Sequence, residues 1–247
     1  MMSDDLLRSL VDLRDKTIQK SRIAFSNRTS AIERGSDVAE EDVARVVADW
    51  ENRFEVLEAD LDADIRRLAG TYPIIKDMEH VKGIGLMLAA KLVALIDIDK
   101  ADTVSALWRY CGYATIDGVA ERRVKGEAMH YNARLKTTCY IVASSMLRSN
   151  SPYRSIYDSS REYYEANRPD WTKAHQHLAS MRRMVKVFLA HLWEHWRLME
   201  GLPVREPYVI SKLGHTGVIS RFDFGWPSPD AVKKTNGRKK RVKAEAL

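Results

Sequence analysis

The 247-residue chain is short of cysteine: it holds two, Cys111 and Cys139. Both fall inside apolar helical patterns. They therefore read as small buried hydrophobes of a reducing compartment, not as a disulfide framework. No apolar run approaches the roughly 20 residues that a membrane-spanning helix needs. The start, Met1-Met2-Ser3-Asp4-Asp5, lacks the basic and apolar regions of a signal peptide. A cytoplasmic protein with no membrane partner is expected. Internal repeats are missing, strand signals are missing from the first seventy residues, and low complexity is confined to one basic tail. Neither a cofactor nor a bound metal is expected.

Hydrophobic residues make up 45% of the chain, enough for a sizeable core. Lys and Arg number 40 against 34 Asp and Glu, a formal charge of +6. The distribution says more than the sum. The first half is nearly balanced, while the run from Lys233 to Lys243, with Lys239, Lys240 and Arg241 at its centre, is intensely basic. Such a run seeks polyanions or serves as a solubilising tail.

The expected fold is mainly α in three parts. Residues 1–72 form a helical hairpin or coiled coil. The first helix repeats Leu6, Leu10, Leu13, Thr17, Ser21 and Ala24. The second repeats Val43, Val47, Trp50, Phe54, Leu57, Leu61, Asp64 and Leu68, a heptad seam that should bury Trp50 and Phe54. An intramolecular hairpin or a dimer satisfies it; the length of the seam favours a homo-oligomer. Residues 73–200 carry a helix opened by Pro73, a second helix to about Asp97, and a third from Thr103 with Gly112 at its C-terminal end. A small β-hairpin around Asp117-Gly118 follows. Three more helices start at Asn132, at Ser151-Pro152 and near Thr172. Residues 201–247 form an extended segment with the basic tail.

The sharpest motif lies between the first two helices of the middle part: Val81-Lys82-Gly83-Ile84-Gly85, then Leu86 to Leu92. An apolar residue, a Gly-x-Gly turn and an alanine-bearing helix make the signature of a helix-hairpin-helix. Glycines at 83 and 85 let successive amides point outward at a helix start, where they bind phosphate with help from the helix dipole. Such contacts read no bases. The candidate nucleic-acid contacts here are Lys82, Gly83, Ile84, Gly85 and Lys91. The bland reading is a tight turn between two core helices. Arg122, Arg123, Lys125, Arg134 and Lys136 form the densest internal basic cluster, either phosphate contacts or a solvated face paired with Glu121 and Glu127.

Two further patterns carry alternatives. His191-Leu192-Trp193-Glu194-His195 matches the inverted zincin pattern, two histidines four apart with a glutamate. It lacks an evident third ligand, and both histidines fall opposite part of the apolar face. His175 and His177 read as surface. Tyr153, Tyr157, Tyr163 and Tyr164 suit base stacking or, more simply, half-buried helix packing.

From about Met78 to Trp196 the order of blocks resembles the C-terminal domain of the IS-one-ten (also IS-one-sixteen) family of insertion-sequence transposases. The blocks are the hairpin at Glu79–Ile96, the turn Tyr110-Cys111-Gly112-Tyr113-Ala114-Thr115, and the basic Arg122-Arg123-Val124-Lys125-Gly126. Tyr131-Asn132-Ala133-Arg134-Leu135-Lys136 comes next, then Pro152 to Tyr157 and Met181-Arg182-Arg183-Met184-Val185-Lys186. With the coiled coil, the resemblance runs from about Asp4 to Met199. It implies a nucleic-acid-binding scaffold. The family also pairs a nuclease-like domain bearing acidic metal ligands with a serine in the present domain. The helical N-terminal part leaves no room for the first. No serine occurs between Ser105 and Ser144, and Thr115 is the hydroxyl nearest in kind, with no base evident beside it. No catalytic residue is therefore assigned. The expected function is non-catalytic binding of nucleic acid, DNA ahead of RNA. The rivals are a recombinase subunit working with a nuclease domain on another chain, and a coiled-coil assembly or scaffold protein.

Overall fold

A computed structural model describes residues 2–35, 41–116, 119–121, 123, 125–126, 128–204 and 219–227. The chain is mainly helical and divides into two compact units, Met1–Tyr72 and Pro73–Leu247.

The first unit holds α1 (Met2–Asp12), a π-helical stretch (Leu13–Ile18), α2 (Gln19–Gly35) and α3 (Glu41–Ala69). Arg14 pairs with Asp62, Arg22 Nε donates to Glu58 at 2.9 Å, and the Phe25 and Phe54 rings lie 5.9 Å apart. Partners rise along the first helices as they fall along α3, so the pairing is antiparallel. The buried apolar residues are Leu7 and Val11 against Leu61, Ile65 and Ala69.

This differs from the predicted seams. Leu6 and Leu13 are 52% and 43% exposed, and Leu7 and Val11 take their place in the interior. The π stretch adds a residue to the turn, so a three-four spacing does not hold one face through it. In α3, Ile65 is buried and Asp64 is exposed, which shifts the contact face by one residue. Trp50 is 46% exposed and Phe54 is half-buried, so neither is the buried core residue that the heptad predicts.

The second unit is built around α9 (Lys173–Glu200), whose Thr172 cap and left-handed Gly201 close its ends. Onto α9 pack α4 (Pro73–Glu79), α6 (Val104–Tyr110), α7 (Ala133–Arg148) and α8 (Arg154–Asn167), while α5 (Leu86–Leu95) packs on α4 and α7. Met184, Phe188, Leu189, Leu192 and Trp193 fill the interior. Arg197 is buried, and its carboxylate partner is Asp102, exposed and 4.0 Å away. It also donates to the carbonyls of Ile98, Ala101 and Pro203, at 2.8–3.0 Å, which satisfies the buried part of the fork.

Local chemistry sets the helix ends. Thr103 caps α6, and Gly112 (φ +71°) follows its last turn with Tyr113 N–H bonded to Trp108 O at 2.8 Å, a Schellman closure. Asn132 caps α7 through the Leu135 amide. The helix after Ser151-Pro152 starts at Arg154, slightly later than expected. The β-hairpin is small: β1 (Thr115–Ile116) pairs antiparallel with β2 (Val119–Ala120). Its predicted turn Asp117-Gly118 lies outside the described residues.

Candidate nucleic-acid interface

The predicted hairpin is a turn between α4 and α5. Its amides divide into two sets. His80, Val81 and Ile84 donate back to Asp77, Met78 and Val81. No acceptor among the described residues takes the amides of Lys82, Gly83, Gly85, Leu86 and Met87. Gly85 is the N-cap of α5 and supplies no side-chain cap. Five donors therefore remain, two in the turn and three at the positive end of a ten-residue helix.

The two glycines do different jobs. Gly83 has φ +98°, and a Cβ there would lie 2.6 Å from Ser149 Oγ and 3.0 Å from Met146 Cα. It is a glycine both for its backbone and for its contact with α7. Gly85 has φ −92° and ψ 166°, and a Cβ there meets nothing within 4 Å. The expectation of a forbidden angle at Gly85 is corrected: any residue can adopt this conformation. Ile84 is 4% exposed and anchors the turn inward. Lys82 is exposed beside it, and Lys91 is half-buried further along α5.

The basic cluster is partly assembled. Arg123 and Lys125 are exposed near β2, and Arg134 and Lys136 lie half-buried in the first turns of α7. Arg122, together with Lys239, Lys240 and Arg241 of the tail, lies outside the described residues. Lys136 Nζ donates to Glu121 O at 2.8 Å and sits 4.4 Å above the Tyr131 ring. A Cβ on Gly112 would strike both, at 2.8 Å from Tyr131 and 2.9 Å from Lys136. Beside them a shallow recess of about 280 Å³ is lined by Tyr131, Ala133, Lys136, Thr137 and Tyr140.

Two cations join this face that the sequence reading did not assign. Arg182 Nη2 donates to Tyr113 O at 2.8 Å, Ala114 O at 2.7 Å and Thr115 Oγ1 at 3.2 Å. Lys186 Nζ lies 4.0 Å over Trp108, whose Nε1–H donates to Lys186 O at 3.0 Å. Burial lowers the affinity of Lys136, Arg182 and Lys186 for their protons, and the Arg182 charge lowers both lysines further. The available signal was a basic pair four apart inside the apolar pattern of α9. Thr115 meets a guanidinium here, and no histidine or carboxylate among the described residues bonds to its hydroxyl.

The inverted zincin pattern is spent on packing. His191 is 4% exposed and His195 is fully buried, which corrects their placement opposite the apolar face. Tyr153 O–H donates to His191 Nδ1 at 2.6 Å, and His191 Nε2–H donates to Ile219 O at 2.9 Å. His195 Nε2 bonds Asp77 at 2.8 Å, and Glu194 pairs with Arg221. These contacts seat residues 219–227, with Trp226 Nε1–H donating to Tyr153 Oη at 2.8 Å. Among the described residues no group of three ligands suited to a metal occurs. Tyr153 is fully buried, whereas Tyr163 is 52% exposed. His175 is exposed and stacks on Trp171 at 3.9 Å; His177 is half-buried and bonds Tyr157 Oη at 2.7 Å.

Among the described residues no helix is long and apolar enough to cross a membrane. No protein-family model matches the chain, and no curated protein matches it significantly.

Proposed function

We propose that this protein is a non-catalytic nucleic-acid-binding protein that grips the phosphate backbone, DNA ahead of RNA. The observation that carries the reading is the set of unspent amides at Lys82, Gly83, Gly85, Leu86 and Met87, beside the exposed Lys82 side chain. Donors of this kind at a helix start suit an anion of any base sequence. The basic residues Arg123, Lys125, Arg134 and Lys136 extend the same chemistry, and the tail adds charge. The block order from Glu79 to Lys186 supports descent from an insertion-sequence transposase. Two buried free cysteines suit a reducing, cytoplasmic setting.

The test is a titration against duplex DNA, single-stranded DNA and structured RNA at two salt concentrations. Affinity should fall steeply with salt, and little with base sequence. Binding that is absent at low salt defeats the reading.

A scaffold role for the first unit is favoured by a separate observation. Leu6, Leu13, Val46, Trp50 and Leu57 are each more than two-fifths exposed. Two copies joined through these residues would cover the exposed flank and give the binder two grips per particle.

A further inference from the structure

We propose that Lys136, Arg182 and Lys186 form a seat for one phosphate group, on a face built by α6, α7 and α9. The seat uses different elements from the hairpin turn, and its test does not depend on the turn.

Placement comes first. Each cation is fixed by something other than an acid. Arg182 is held by the carbonyls of Tyr113 and Ala114, Lys186 by the Trp108 face, and Lys136 by the Tyr131 face and Glu121 O. The left-handed Gly112 lets Tyr131 and Lys136 close onto the turn that Arg182 holds. Residues nearly fifty positions apart in sequence are thereby brought to one surface.

Unspent donors come second. Arg182 uses one terminal nitrogen, and its Nε and Nη1 have no partner among the described residues. Lys186 Nζ donates to no acceptor among them, and neither residue forms an ion pair there. The neighbouring carboxylate is Glu121. Arg182 acts on both lysines, whereas Glu121 acts on Lys136. Burial penalises the charged forms of the three cations, and the attraction of an arriving anion would offset that penalty. A guanidinium fork with two ammonium groups matches the tetrahedral oxygens of phosphate.

The phosphate is either free or part of a polymer, and the experiment separates the two. The full chain is titrated with inorganic phosphate at constant ionic strength, reading the Trp108 indole N–H resonance and the melting temperature. A single-stranded oligonucleotide is titrated in parallel. Lys186→Met keeps the stem on Trp108 and removes the charge; Lys186→Arg restores it. Inorganic phosphate should move the indole signal in the parent and in Lys186→Arg, but not in Lys186→Met. If the seat holds polymer phosphate, Lys186→Met also weakens the oligonucleotide about 3- to 10-fold and reduces the salt slope by roughly 0.7. If oligonucleotide affinity is unchanged, the seat is for free phosphate. A parent protein whose indole signal ignores both probes overturns the proposal. So does an unchanged phosphate response in Lys186→Met, or tighter binding of a poly-glutamate peptide of equal charge, which would make the face an acceptor of acidic protein.

Discussion

The two units treat their apolar side chains in opposite ways. In the second, α9 is buried along most of its length, and Phe188, Leu192 and Trp193 have almost no exposure. In the first, two antiparallel helical arms bury Leu7, Val11, Leu61, Ile65 and Ala69, and leave Leu6, Leu13, Ile23, Val46, Trp50, Val56 and Leu57 in solvent. Four helices packed on a fifth can enclose a core. Two arms side by side cannot, because each has a contact face and a flank that nothing covers. The contrast teaches that heptad spacing marks apolar stripes without saying whether the chain itself covers them.

The sharpest way to break this comparison is to truncate one tryptophan in each unit. Trp193→Ala removes a fully enclosed ring and the 2.6 Å bond from its indole to Ala101 O. It should cost about 3–5 kcal/mol. Trp50→Ala should cost well under 1 kcal/mol in a monomer, since the ring is already half in solvent. Thermal unfolding measures both. Light scattering decides what the exposed flank does. We expect a dimer that Trp50→Ala weakens; a monomer at every concentration would leave the flank as solvent-facing surface.

A second contrast lies inside the hairpin turn. Gly83→Ala places a Cβ against Ser149 and the Met146 backbone at a positive φ. It should destabilise the second unit by roughly 1–3 kcal/mol. Gly85→Ala meets open space at a negative φ, so its stability should change by a few tenths of a kcal/mol, or rise slightly by restricting the unfolded chain. Its effect should fall on nucleic-acid binding instead, because the added methyl stands beside the unspent amides. Stability unchanged in both variants would show that the turn is not seated on α7. Binding unchanged in Gly85→Ala would remove the turn from the interface.

Helix starts were legible because their chemistry is local. Thr103, Asn132 and Thr172 each accept from an amide three residues on. The mainly α fold was legible from period alone. Four features were not. The inward face of α1 depends on a π-helical stretch that no spacing rule marks. The burial of His191 and His195 depends on residues 219–227, which supply Ile219 O and Trp226 from a distant part of the chain. Arg182 and Lys186 gain meaning from the carbonyls of Tyr113 and Ala114 and the ring of Trp108, partners that only tertiary packing brings near. Gly83 and Gly85 look alike in sequence, yet only one has a positive φ.

The smallest expected effect concerns acid, and it falls on the second unit alone. His191 sits between Tyr153 and Ile219, and burial lowers its pKa below the usual 6.5, more than nearby Glu194 and Asp223 raise it. Its Nδ1 is the acceptor for the Tyr153 hydroxyl, so protonation there would replace an acceptor with a donor. The unfolded chain takes up this proton first as pH falls. The neutral histidine therefore contributes full stability above about pH 6.5, and that contribution declines as pH drops toward the depressed folded value. Melting temperature measured from pH 8 down to pH 5 should fall in this window. His191→Asn, which cannot gain the charge, should flatten the slope there while lowering stability at pH 8. The first unit contains no histidine, so its melting should lack this component. An identical slope in His191→Asn would assign the acid sensitivity to other groups and leave the residue 219–227 contact independent of pH.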